Sequence, residues 1–556
     1  MKIRFLLLLV FLLSTTVMLQ AQNQSGFTKK DSLRGTITPE RAWWNLTRYD
    51  LEIQPDFTSK TLKGTNTISY TVVANNGTTK MQIDLKDPLK IDEVTDASGK
   101  KYPFTKEGSV WMIEIPNQQK GTNGKISIRY SGTPHEAIRA PWDGGWTFTK
   151  DSLGRPWMTV TCQGGAGASI WYPCKDHQSD EPDKGASLTM RVPDTLMAVG
   201  NGRLKKTTKH GDGTTSYRWE VTNPINNYNI IPYIGKYISF KEVYTGEKGK
   251  LDLTYWVLDY NEQKAKSYLP KEVHNTMKSF EYWFGPYPFY EDGYQLIDVP
   301  HTGMEHQSAV AYGNWYQPGY RKRDGSGTGW GLKWDFIVIH ESGHEWFGNN
   351  ITSKDLADMW VHEGFTNYSE TLFIEYIFGE QAGNEYNVGI RRGIRNDKPI
   401  IPTAYGVNAQ GSGDMYPKGG NLLHAIKHSI NDNEKFRQIL RGLNKDFYHQ
   451  TVTSTQVENY ISAKAGFDYS KVFDQYLRNI TIPKFEFQIT GNTARYRYTN
   501  CIPGFNLPIV LKNNNTVLKL LPTDVWKTTE LTAAELSLLT VDGVKNMYYV
   551  DPVPIQ

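Results

Sequence analysis

The HExxH motif between His340 and His344 constrains the fold more than any other feature of this 556-residue chain. The surrounding run from Leu332 to Phe347 has the residue pattern of a helix. Side chains four positions apart lie on one face of a helix, so both imidazoles can reach one tetrahedral metal ion. Glu341 projects about 100° from His340 around the helix, which places it beside the ion rather than on it. The motif therefore predicts a metal centre with two histidine ligands.

A second predicted helix, from Asp358 to Phe378, supplies the third ligand. It contains Glu363, nineteen positions after His344, and the intervening loop lets the chain reverse. A catalytic zinc with two histidines usually takes one carboxylate and keeps a position open for water. We therefore predict one Zn²⁺ per chain, bound by His340, His344 and Glu363. The alternative is that Glu363 forms a surface salt bridge.

Other residues near the motif have less specific roles. Glu341 is the candidate general base for a zinc-activated water, and its alternative is a surface helix carboxylate. Ligating histidines are usually oriented by further hydrogen bonds, and Asp358 and Glu370 are near enough in sequence to provide them. Either could instead be a helix N-cap or a surface charge. The remaining histidines, such as His301, His306 and His362, are not predicted as ligands.

The period of the hydrophobic pattern changes twice along the chain. Alternation typical of strands extends from about Tyr49 to Tyr255, helical patterns then dominate with one strand-like run from Tyr294 to Val299, and short strands return after Pro483. This predicts an α+β multidomain protein with an N-terminal antiparallel β-domain (22–255), a mixed α/β domain that carries the motif (256–480) and a small C-terminal β-domain (481–556).

The N-terminus resembles a cleaved export signal. Lys2 and Arg4 precede an apolar run from Phe5 to Leu13, and small and polar residues follow near Ala21. The run is short for a transmembrane anchor, so we expect residues 1–21 to be removed and no stable membrane insertion afterwards. The mature protein is then periplasmic or secreted. A formal net charge of +4 gives no electrostatic case for binding nucleic acid or anionic membrane.

The three cysteines cannot form a disulfide framework in a chain of this length. Cys162 and Cys174 could pair after export, but buried free thiols are the expected state. Nothing in the sequence fixes the oligomeric state.

Several segments together resemble the gluzincin aminopeptidases, the family of aminopeptidase N and of the leukotriene epoxide hydrolase. HESGHEWFGN and DMWVHEGFTNYSE resemble the family's zinc motif, spacer and glutamate. Upstream, TGMEHQ resembles its Gly-Ala-Met-Glu-Asn exopeptidase motif, and downstream MYPKGG resembles its Tyr-x-Lys-Gly segment. TCQGGAGASIWYPCKD resembles a stretch of its N-terminal domain. The order and approximate spacing of these segments agree with the family from about Tyr49 onward.

This resemblance implies a thermolysin-like catalytic domain and further site residues. By it, Tyr416 donates to the oxyanion and Glu305 binds the substrate's free α-amine. Gly303, Met304 and Gln163 are further substrate-binding residues: Gly303 would let the substrate backbone approach closely, and Gln163 would reach the first subsite from the β-domain.

The chain also departs from the family pattern. His306 replaces the usual Asn of the exopeptidase motif, and Thr302 replaces its first Gly. The long C-terminal helical domain of larger relatives is not expected here.

The sequence thus favours a zinc-dependent aminopeptidase that acts on peptides with a free N-terminus. Hydrolysis of another electrophile, such as an epoxide, at the same zinc is one alternative. Non-catalytic peptide binding is a second, although it would not require Glu341. An endopeptidase is a third, and it would not require Glu305 to bind an amine.

Overall fold

A computed structural model describes residues 26–75 and 79–556. The predicted leader, residues 1–21, lies outside the described residues. The N-terminal part is a β-domain built on a seven-stranded sheet, in the order Arg203–Lys209, Thr214–Val221, Ala186–Pro193, Trp44–Asp56, Thr61–Val72, Asn123–Gly132 and Lys90–Asp96. Two smaller sheets complete it: Met197–Val199, Tyr233–Gly235, Pro156–Thr161 and Gly145–Lys150 in one, and Lys80–Asp84, Val110–Glu114 and Phe104–Glu107 in the other.

Strand pairing in the large sheet is not wholly antiparallel. Trp44–Asp56 pairs in parallel with Ala186–Pro193, with Tyr49 opposite Ala186, while every other pairing in this sheet is antiparallel. Alternating hydrophobicity predicts strands but does not fix the direction of their partners, so the sequence could not reveal this pair.

A five-stranded mixed sheet begins the part of the chain that carries the HExxH motif. Its order is Tyr237–Gly246, Gly249–Leu258, Tyr294–Asp298, Val310–Tyr312 and Gly303–Met304. The predicted domain boundary at residues 255 and 256 falls inside Gly249–Leu258, a strand that pairs in parallel with Tyr294–Asp298. The hairpin that precedes this boundary therefore belongs to the sheet that contains Gly303–Met304.

Helices pack against this sheet and surround the metal-binding motif. The main helices are Glu262–Phe284, Phe336–Gly343, Trp360–Phe378, Glu380–Ile390, Pro417–Ile430, Asn433–Asp446, Ser454–Ala465 and Ser470–Leu477. Short helices are Lys29–Gly35, Pro39–Ala42, Ala533–Leu536 and Val541–Met547. Within the described ranges, no helix is long and apolar enough to cross a membrane.

The C-terminal strands form two small sheets. One contains Lys527–Glu530, Thr493–Thr499, Lys484–Thr490 and Asp551–Pro554, and the other pairs Ile509–Lys512 with Val517–Leu520. A further pair joins Ile351–Ser353 to Gln450–Val452. Phe485 and Tyr498 of the first sheet belong to the same buried apolar cluster as residues of the helices around the HExxH motif. The predicted α+β class is confirmed, and the C-terminal strands share a hydrophobic core with the helical part.

Candidate active site

The HExxH motif lies on the helix Phe336–Gly343, which we call the motif helix. Oδ1 of Asp335 accepts hydrogen bonds from the backbone N–H groups of Ile337 and Val338, at 3.0 and 3.2 Å, and so caps its first turn. The helix is shorter than the predicted run, but His344 keeps an α-helical backbone conformation just beyond its end. Both histidines therefore remain on one face.

The second helix, Trp360–Phe378, crosses the motif helix closely and carries Glu363. We call it the glutamate helix. A side chain at Gly343 would place its Cβ 2.6 Å from Oγ of Ser369, so glycine is what allows the two helices to approach at this point. The glutamate helix is buried from Trp360 to Ile374 and ends at Phe378. Gly379 follows it with a positive φ, which suits a residue without a side chain.

His340, His344 and Glu363 converge on one point, and their donor atoms all lie within 4.8 Å of one another. Oε2 of Glu363 is 3.4 Å from Nε2 of His344 and 3.8 Å from Nε2 of His340. Ligands of a tetrahedral zinc at about 2.0–2.1 Å are separated by about 3.4 Å. This buried oxygen of Glu363 also has no hydrogen-bond partner among the described residues. The donor set therefore fits one zinc ion.

Hydrogen bonds at the Nδ1 atoms fix the orientation of both histidine rings. Nδ1 of His340 is 2.7 Å from Oε1 of Glu370, and Nδ1 of His344 is 3.0 Å from the carbonyl oxygen of Phe347. Tyr386 donates a short hydrogen bond to the other oxygen of Glu370. These contacts direct both Nε2 atoms toward Glu363, as ligating histidines require.

Of the two acidic residues considered for this orienting role, Glu370 contacts a ligand and Asp358 does not. Asp358 accepts hydrogen bonds from Tyr405 and from the backbone N–H of Ser454. No sequence pattern indicated a role for Tyr386, because its contact with Glu370 depends on the packing of the helix Glu380–Ile390 against the glutamate helix.

Glu305 and Glu341 lie beside the candidate ligand His344. Their carboxylate oxygens and a ring nitrogen of His344 also lie within 4.8 Å of one another. Both carboxyl groups are buried. Burial raises the pKa of Glu341 to about 7, with a further contribution from the Glu305 carboxylate. A carboxyl with such a pKa suits proton transfer near neutral pH.

Gly303 makes room for Glu341. A Cβ at this position would lie 2.7 Å from Oε1 of Glu341 and 2.8 Å from Cγ2 of Ile337. The sequence prediction for Gly303 concerned the approach of the substrate backbone, whereas this contact is with the candidate base. Met304, next in the strand, is buried in the apolar cluster of the N-terminal part.

Tyr416 lies at the start of the helix Pro417–Ile430, with its ring stacked toward that of His340 at 6.2 Å between centroids. The side chain of Tyr416 is half-buried. Burial, together with the carboxylates of Glu363 and Glu305, raises the pKa of its phenol well above the ordinary value. Tyr416 therefore stays protonated and can donate a hydrogen bond.

A cleft between the N-terminal β-domain and the helices contains the rest of the predicted site. Gln163 and Glu305 line it together with Glu363, and Tyr228, Asn408 and Gln410 line the same cleft. Sequence reasoning missed the last three residues. Tyr228 lies in a turn of the β-domain, and its contact with the site depends on how that domain packs on the catalytic sheet.

The other histidines and the cysteines lie apart from the donor set. His301, His306 and His362 are buried rather than exposed. Nδ1 of His306 is 2.6 Å from Oη of Tyr233, and Nε2 of His362 accepts a hydrogen bond from the backbone N–H of Ser353 at 2.8 Å. Cys162 and Cys174 are free buried thiols, as expected.

The fold and the site define a class: a multidomain α+β metallohydrolase scaffold with a two-histidine, one-glutamate donor set. The chain belongs to peptidase family M1. The Peptidase family M1 domain matches residues 274–476, and the Peptidase M1 N-terminal domain matches residues 46–228. The first match contains both the motif helix and the glutamate helix.

Curated relatives include aminopeptidases from plants and archaea. The chain is 23% identical to Aminopeptidase M1-B of Oryza sativa subsp. japonica over 75% of its own length and 48% of that protein. It is 22% identical to Probable aminopeptidase 1 of Saccharolobus solfataricus over 85% of its own length and 59% of that protein. The chain thus spans about half the length of the curated relatives it matches.

Solved structures share the fold. The M1 zinc metallopeptidase from Deinococcus radiodurans superposes with a TM-score of 0.65 at 19% identity, over 81% of this chain and 96% of that one. A variant of that enzyme bound to a Tyr-Ser-Ala substrate superposes with a TM-score of 0.66.

Proposed function

We propose that this protein is a zinc-dependent aminopeptidase that removes N-terminal residues from peptides. The observation that carries the proposal is that Glu305 and Glu341 lie beside His344, which is also one of the three residues of the candidate zinc site. Family membership and the aminopeptidase names of the relatives support the same activity.

Zinc held by these three residues would act as a Lewis acid and would acidify a bound water. Glu341 would take a proton from that water and later deliver one to the leaving amine. Tyr416 would donate a hydrogen bond to the oxyanion from its protonated phenol. His340, Glu341 and His344 come from the motif helix and its C-terminal end, Glu363 comes from the glutamate helix, and Tyr416 precedes the helix Pro417–Ile430. The close helix crossing at Gly343 brings the zinc ligands together.

Glu305 supplies selectivity for the N-terminus in this proposal. Its buried carboxylate would bind the substrate ammonium through charge-assisted hydrogen bonds. Because Glu305 lies close to Glu341 and His344, the space between ammonium and reacting carbonyl is short. This arrangement favours release of single residues over internal cleavage.

The test uses the purified mature chain loaded with zinc and a set of aminoacyl fluorogenic substrates. We expect cleavage by the wild-type protein, loss of cleavage with chelator, and retention of zinc with collapse of turnover in Glu341→Ala. Peptides with an acetylated N-terminus should resist cleavage. Rapid internal cuts in those peptides would favour an endopeptidase, and normal kinetics in Glu305→Ala would refute the amine-binding role.

A further inference from the structure

Hydrogen bonds with the N-terminal β-domain hold the loop that carries Glu305. We call residues 305–308 the anchor segment. Each of its four residues is hydrogen bonded to the β-domain, so the position of the segment depends on both parts of the protein. The contacts are Tyr228 Oη to Glu305 Oε1 at 3.2 Å, Tyr233 Oη to His306 Nδ1 at 2.6 Å, Asn201 Nδ2 to the Gln307 carbonyl at 2.7 Å, and the Gly202 N–H to Ser308 Oγ at 3.0 Å.

Tyr228 makes the contact that reaches the carboxylate itself. It lies in the 3-10 turn Asn227–Asn229, and the backbone N–H of Tyr228 donates to Oδ1 of Asn226 at 3.2 Å, which fixes the turn. The phenol is half-buried and lines the cleft beside Glu305 and Glu363. Its hydroxyl donates to Oε1 of Glu305 at 3.2 Å.

The same turn is linked to the segment that follows the metal-binding motif. Nδ2 of Asn229 donates to Oδ1 of Asn349 at 2.7 Å, and Nδ2 of Asn349 donates to the backbone carbonyl of Glu305 at 2.8 Å. Asn349 is five residues beyond His344. The carboxylate and the backbone of Glu305 are therefore both fixed relative to the zinc ligands through one turn of the β-domain.

We propose that Tyr228 is a positioning residue for the amine anchor, and that its hydroxyl holds the Glu305 carboxylate where it accepts the substrate's terminal ammonium. The N-terminal β-domain would then take part directly in selecting free N-termini. This inference rests on the proposed function, because it assigns Tyr228 a role through the amine-binding residue of that reaction.

The experiment compares ligands with and without an amine on the zinc-loaded mature chain. The probes are L-tryptophan, to which a solved two-domain M1 zinc metallopeptidase variant is bound, and its des-amino analogue indole-3-propionate. In Tyr228→Phe, we expect the Kd of L-tryptophan to rise about tenfold, because a hydrogen bond to a charged group is lost. The Kd of indole-3-propionate should stay within about twofold, since it offers no ammonium to Glu305. KM of free-amine substrates should rise more than kcat falls.

Tyr172→Phe is the matched control. Tyr172 is buried, and its hydroxyl donates to the carbonyl of Asn227 in the same turn at 2.9 Å, without a contact to Glu305 in the described structure. We expect it to retain the wild-type preference for L-tryptophan. Equal losses in both variants would assign the effect to a loosened turn and overturn the inference.

The result also separates this inference from the proposed function. The preference for L-tryptophan could persist in Tyr228→Phe and be lost in Glu305→Gln. That result would reject the role of Tyr228 and leave the role of Glu305 standing. A wild-type protein with no preference for the amine rejects the proposed function, and the inference with it.

Discussion

Substitution of Gly303 by alanine tests whether the position of Glu341 controls turnover. The new Cβ would lie 2.7 Å from Oε1 and 3.1 Å from Cγ of Glu341, and 2.8 Å from Cγ2 of Ile337. Gly303 lies in a strand and does not have a positive φ, so alanine is compatible with its backbone. The conflict is therefore steric and concerns the candidate base.

The magnitude follows from these distances. Ordinary contacts with a Cβ are 3.4–4 Å, so the carboxylate of Glu341 must move by several tenths of an ångström. Because this is the movable end of a side chain, the carboxylate gives way more readily than the strand. Misplacement of a reacting group by about 1 Å can cost about 100-fold in rate. We expect kcat to fall about 10- to 100-fold, with zinc content unchanged.

The assay measures kcat and KM on an aminoacyl fluorogenic substrate and zinc content by atomic absorption. Gly325→Ala is the control, because a Cβ there meets nothing within 4 Å and its φ is not positive either. It should behave as wild type. A kcat of Gly303→Ala within about twofold of wild type, at full zinc content, would refute the link between this contact and the base.

Two further variants test other parts of the site. Tyr416→Phe should lower kcat about 10²- to 10³-fold with zinc retained, because an oxyanion donor is lost; an effect confined to KM would instead assign Tyr416 to substrate binding. Glu370→Gln should weaken zinc binding about 10- to 100-fold, measured by competition with a chelator, because His340 loses its charged partner. Unchanged zinc affinity in that variant would contradict the orienting role of Glu370.

Most secondary structure and the core of the metal site were predictable because they depend on local patterns. The helical period places His340 and His344 on one face whatever the rest of the chain does. Glu363 was accessible because its own helix pattern follows a short loop. The helix predicted from Asp358 to Phe378 extends from Trp360 to Phe378, and the strand predicted from Tyr294 to Val299 extends from Tyr294 to Asp298.

Contacts between distant elements were not predictable from such patterns. The bond between Tyr228 and Glu305 joins residues 77 positions apart, and that between His340 and Glu370 joins residues 30 apart. Glu370 was one of two acidic candidates, and only the packing of the two helices distinguished it from Asp358.

The sequence by itself therefore determined which groups this protein can offer to a metal and on which helices they lie. The tertiary structure decided which carboxylates lie beside the histidines, which residues orient the rings, and that the β-domain contacts the loop of residues 305–308. The physical reason is that helix periodicity is a property of a few consecutive residues. Convergence across domains depends instead on strand direction, register and packing, for which one sequence pattern permits several arrangements.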